Sequence, residues 1–171
     1  RMDLETEILN EHSKRQAVRI ARWIGDDRTR FRELMQLFLH GEYRVTQRSA
    51  WIVNICAERN PTLIRPYIKK MIARMQELEV HDAVRRNVVR ILQFIDIPPD
   101  LLGTVATVCF EYLYSPKAPI AVKAFSMTVL ANIAKKEPDL KREIRLAIEY
   151  QLPHSSVGTC ARARHVLKSL G

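Results

Sequence analysis

Glycine is scarce in this 171-residue chain: five residues, at positions 25, 41, 103, 158 and 171, each isolated from the others. No glycine-rich loop can be assembled from them, which excludes a phosphate cradle built from successive backbone N–H groups. Cysteine is sparse as well. Cys56, Cys109 and Cys160 stand far apart with no C-x-x-C spacing, which argues against a disulfide framework and against a zinc site. Each lies in an apolar helical context and reads as a small buried hydrophobe in a reducing, cytoplasmic compartment. No apolar run approaches the roughly 18 residues of a membrane span, so no membrane partner is expected. The opening stretch, RMDLETEILNEHS, is acidic and amphipathic, unlike a signal peptide. Arg1 ahead of Met2 reads as a cloning remnant.

Catalytic patterns are also missing. No H-E-x-x-H motif occurs, and His12, His40, His81, His154 and His165 fall singly near helix ends or on faces. Glu11-His12 and His81-Asp82 read as surface pairs rather than metal ligands. The serines lack a G-x-S-x-G setting. Asp26-Asp27 directly follows Gly25 and reads as a helix cap. The expectation is no metal, no cofactor and no enzymatic activity.

What is present is helical. Hydrophobic residues make up 47% and charged residues 27%, which is a folded composition, and Ala, Leu, Arg and Glu abound. The 28 Lys+Arg against 19 Asp+Glu leave a formal charge of +9, a source of attraction for acidic proteins or nucleic acid.

Proline punctuates the chain. Pro61, Pro99 and Pro138 recur at about 38-residue intervals, and Pro116 and Pro153 form a second series of similar period, the mark of a repeat array. Five stretches align by apolar spacing, beginning at Ser13, Gln47, Asp82, Ile120 and Cys160. Each ends in an apolar pair four residues apart: Ile20 and Ile24, Val53 and Ala57, Ile91 and Ile95, Val129 and Ile133, Val166 and Leu170. Such pairs share one helical face. Between them lie partner helices over roughly Leu4–His12, Asp27–His40, Pro61–Leu78, Pro99–Tyr114 and Pro138–Gln151. Proline suits the first turn of a helix, Asn60 can cap the helix that Pro61 opens, Ser13 and Gln16 have capping-box spacing, and Gly41 suits a left-handed C-terminal cap. The reading is all-α: an α–α superhelix, or solenoid, of about five antiparallel helical hairpins in a single domain over residues 1–171.

The stretch DAVRRNVVRIL, with Asp82 followed by Val84-Arg85, resembles a HEAT-like repeat of the armadillo/HEAT class, and IAVKAF repeats Val122-Lys123 at the equivalent place. Lys14 keeps the basic position in the first unit and Cys160 loses it in the last. The resemblance implies stacked antiparallel helix pairs whose second helices line a concave face. Independently of it, stacking is the way hairpins of this kind bury their apolar stripes.

The second helices carry the partner signal. Arg15, Arg19 and Arg22 share a face. By the repeat register Arg15 corresponds to Arg48 and Arg86, Arg19 to Arg90 and His165, and Arg22 to Lys168, with Ile52, Ala124 and Thr128 interrupting. This basic face is the candidate binding surface, for a protein partner or, alternatively, for nucleic-acid phosphates. The architecture also resembles that of some helical-repeat DNA glycosylases, which use Trp and Asp near a basic concave groove, and Trp23 and Asp27 have an i, i+4 spacing that can be fitted to that pattern. Trp23 is expected instead to pack between repeats and Asp27 to cap a helix.

Overall fold

The computed structural model describes residues 2–171, and Arg1, with its reading as a cloning remnant, lies outside them. Among the described residues there are helices and turns but no strand. The helices are α1 (Leu4–Asn10), α2 (Lys14–Ile24), α3 (Arg28–His40), α4 (Tyr43–Arg59), α5 (Pro61–Ile64), α6 (Ile68–Met75), α7 (Asp82–Leu92), α8 (Leu102–Tyr114), α9 (Ile120–Lys136), α10 (Lys141–Gln151) and α11 (Val157–Leu170). A 3₁₀ turn, Arg65–Tyr67, joins α5 and α6 into one rod. The rods therefore pair as five hairpins. The chain divides into two compact units, one ending at Val88 and the other starting at Val89, inside α7.

In the first unit, caps set the boundaries. Ser13 Oγ accepts from the Gln16 N–H, and Asp27 Oδ1 accepts from the N–H groups of Thr29 and Arg30. Asn60 Oδ1 accepts from the Thr62 N–H just inside the helix that Pro61 opens. One chain break is thus bridged by two residues, each satisfying or removing a donor that the helix start leaves orphaned. The Ser13–Gln16 pair forms only half of a capping box. The Gln16 amide turns instead to α1, donating to Glu7 O at 2.8 Å and to Glu7 Oε2 at 3.1 Å. Gly41 also departs from expectation. It is extended, at φ −75° and ψ 171°, and among the described residues Gly25, at 51°, and Gly171, at 89°, adopt positive φ. α1 packs on α2 and α4, and α3 on α4. Their inner faces bury Ile8, Ile20, Ile24, Phe31, Phe38 and Val53.

The second unit repeats the plan. The same tripeptide, Pro-Asp-Leu, opens both first helices as a 3₁₀ turn, at Pro99–Leu101 before α8 and at Pro138–Leu140 before α10. Proline's fixed φ suits that turn and its missing N–H costs nothing there. α8 packs on α9 and α10, and α11 on α9 and α10. Val105, Cys109, Met127, Leu130, Ile133 and Ile148 form the core.

The expected i, i+4 pairs are fully buried at Ile20/Ile24, Val129/Ile133 and Val166/Leu170. In the other two, Val53 and Ile91 are buried while Ala57 and Ile95 are half-exposed. The repeat length is also written into the tertiary hydrogen bonds. Asn60 Nδ2 to Asp26 Oδ1, Arg74 Nε to Leu39 O, Asn87 Nδ2 to Gln47 Oε1 and Asn132 Nδ2 to Gln93 O span 34 to 40 residues of sequence. Each ties an element to its counterpart one hairpin earlier, as nearest-neighbour stacking requires.

Cys56 and Cys109 are buried, and desolvation pushes both thiols up to about 12, while Cys160 is half-buried. The thiolate is the reactive form. In the folded protein a thiol reagent at pH 8 is expected to modify Cys160 first, with Cys56 and Cys109 reacting only as the chain unfolds. Peptide mapping after brief alkylation checks this.

Candidate functional site

The basic residues of the second helices divide by what they touch. In the first unit Arg15 pairs with Glu11 one turn earlier, Nη2 to Oε1 at 3.0 Å, and remains solvent-exposed. The Ser13 hydroxyl first, and Arg15 second, hold the Glu11 carboxyl below its ordinary range. Arg19 pairs with Glu7 of α1 and donates from Nε to Gln16 Oε1 at 3.0 Å. Arg48 reaches back to the end of α1, donating to Leu9 O at 2.8 Å and Ile8 O at 3.3 Å. There it satisfies carbonyls that a helix C-terminus leaves open. Arg86 donates to the Tyr43 hydroxyl and lies over that ring, 5.6 Å from its centroid. Arg22 is exposed and has no side-chain partner among the described residues.

In the second unit Arg90, His165 and Lys168 likewise have no side-chain partner among the described residues. His165 lines a groove of about 590 Å³ formed by the turn after α7, the second half of α9 and one face of α11. Second helices of successive hairpins therefore build it. Its walls carry Gln93, Phe94, Thr128, Lys135 and Arg162. Phe94 falls just past the end of α7 and is 64% exposed, a large apolar ring held open to solvent. Arg162 is the organising side chain. Its Nη1 donates to Gln93 Oε1 at 3.1 Å and to Ala124 O and Thr128 Oγ1 at 3.3 Å each. All three acceptors are neutral, and among the described residues no Asp or Glu lines the groove. The guanidinium is thus positioned but has no counter-charge there.

Arg162, Phe94 and Lys135 were not singled out by the repeat register. Arg162 falls one position off the Arg15–Arg48–Arg86 row, and Phe94 reads in sequence as part of the apolar run of α7. The signal that could have found Phe94 is the IDIPP stretch after it, which stops the helix early enough to leave the ring in a turn.

Trp23 and Asp27 take structural roles. Arg30 stacks on the Trp23 ring at 4.3 Å and donates to Trp23 O at 2.6 Å. The Asp27 carboxylate caps α3 and lies 3.7 Å from Arg30 Nε. Among the described residues no group of His, Cys, Asp and Glu is arranged to hold a metal ion, and no helix is long and apolar enough to cross a membrane.

Hairpins bonded at one-repeat spacing, with second helices lining a groove, define an all-helical repeat scaffold. The HEAT repeat domain family matches residues 4–170, and the chain belongs to that family. No curated protein and no solved structure matches it.

Proposed function

We propose that this chain is a non-enzymatic binding scaffold that holds an acidic segment of a protein partner in the groove of its second unit. The observation that carries this reading is Arg162, fixed by three neutral acceptors in a wall without carboxylates. Lys135 adds a second cation to the wall, His165 a polar ring, and Phe94 offers an apolar anchor point. Aromatic rings and arginines are the side chains that dominate binding energy at protein interfaces. A reducing, cytoplasmic setting fits the three free thiols.

The test is fluorescence anisotropy with a labelled acidic peptide carrying two leucines. Saturable binding is expected, weakening as salt rises because the contacts are partly exposed charges. Phe94→Ala and Lys135→Ala, both at exposed positions, are each expected to weaken it about tenfold, or about 1.4 kcal/mol. Unchanged affinity in both variants contradicts the reading. The alternative is nucleic-acid binding through the basic face, favoured by the unpartnered Arg90, His165 and Lys168. It predicts that duplex DNA binds more tightly than the peptide, with a steep salt slope.

A further inference from the structure

A second cavity, of about 390 Å³, lies in the second unit, and no residue lines both it and the groove. The turn after α8, the start of α9, the end of α10 and the start of α11 enclose it. Lys123 of α9 lines it and donates to Gln151 Oε1 at 2.7 Å. Gln151 is buried and its Nε2 donates to Leu113 O, so the amide is locked with its oxygen toward the lysine. Lys123 makes no ion pair among the described residues, and no Asp or Glu lines the cavity. Burial pulls the Lys123 ammonium below its ordinary range, as expected of a cation with no counter-charge.

Two tyrosines form the rim. The Tyr114 and Tyr150 rings lie 5.2 Å apart, tilted by 54°, and both are about half exposed. Ile120, 55% exposed, extends this apolar edge. Ser155, just ahead of the Ser156 cap of α11, and Thr159, in the first turn of that 14-residue helix, also line the cavity, and a helix N-terminal end favours negative charge. An exposed aromatic pair beside a half-buried, uncompensated ammonium has no evident packing purpose. The volume sits at the small end of the range for ligand pockets, enough for one ring with an acidic group.

We propose that this cavity binds a small aromatic anion, its carboxylate or phosphate taken by Lys123 and its ring held against Tyr114 and Tyr150. The anionic group supplies the counter-charge that the protein omits. The two tyrosines select for a planar body, because offset and edge contacts between rings add to simple burial.

The test is a heteronuclear NMR titration of the full chain with phenyl phosphate, benzoate, phenol and inorganic phosphate in parallel. The first two are expected to give saturable shifts centred on Lys123, Tyr150 and Thr159. Phenol and inorganic phosphate are expected to bind at least about tenfold more weakly, since each supplies only half of the recognition. Lys123→Met keeps the side-chain length and is expected to abolish anion binding. Tyr150→Leu, at an exposed site, is expected to weaken the aryl anions while leaving inorganic phosphate unchanged. A phosphotyrosine peptide that binds more tightly than phenyl phosphate supports the site and assigns the anion to a protein side chain. One that binds more weakly supports it and assigns a free small molecule. Absence of shifts at millimolar phenyl phosphate overturns the proposal, as does a Lys123→Met variant, folded by its spectrum, that binds unchanged.

Discussion

Phe38→Ala is expected to lower the unfolding free energy by about 3–5 kcal/mol, the usual cost of removing a buried aromatic ring. Phe38 sits on the inner face of α3 with no exposed surface, among the largest fully buried side chains in the chain. Its own carbonyl accepts a 2.8 Å bond from Thr46 Oγ1 of α4, so the second helix of the hairpin is fastened at the same residue. Truncation removes apolar contact and leaves a cavity that α3 and α4 cannot fill without pulling on that bond. Urea unfolding followed by circular dichroism gives the value from the midpoint shift. Leu78→Ala is the control: Leu78 is 94% exposed and should change stability by no more than about 0.5 kcal/mol. A Phe38→Ala loss as small as that of the control contradicts the packing described here.

Gly41→Ala is expected to destabilise the fold although it adds a single methyl. Its backbone, at φ −75°, is open to any residue, so the demand is for space and not for left-handed geometry. A Cβ at position 41 would stand 2.3 Å from Leu37 O and 2.9 Å from Val45 Cγ1. The oxygen belongs to the last turn of α3 and accepts from the Gly41 N–H, so it cannot move without opening the end of the helix. Gly41 O is also bonded to His81 Nε2 at 3.1 Å, which transmits any shift to the next hairpin. Overpacking of this kind costs about 1–3 kcal/mol. Gly103→Ala should go the other way. It lies inside α8 with nothing near the added methyl, and helix propensity then favours alanine by about 0.5–1 kcal/mol. Opposite signs for the two glycine substitutions, read as shifts in thermal midpoint, check the pair.

The sequence made the hairpins legible because local chemistry sets where helices begin and end. Asn60-Pro61 and the two Pro-Asp-Leu openings act within one turn of themselves, so a reader of the chain can place them. Gly41 shows where that stops. A glycine after a helix suggests a left-handed cap, yet its role here is set by space, between Leu37 O of α3 and Val45 of the following helix. The site follows the same division. Repeat spacing aligns the arginines, but whether each is occupied depends on partners outside its own helix: Glu7 for Arg19, Leu9 O for Arg48, Tyr43 for Arg86. Arg162 gains its importance from Gln93, 69 residues away, a relation that no local pattern encodes.

The most direct test of the binding account is to map the acidic peptide onto the isotopically labelled full chain by amide chemical shifts. The account predicts perturbations at Phe94, Thr128, Asn132, Arg162 and His165, along the face shared by α9 and α11. Perturbations centred on Arg15 and Arg19, or none at saturating peptide, would contradict it.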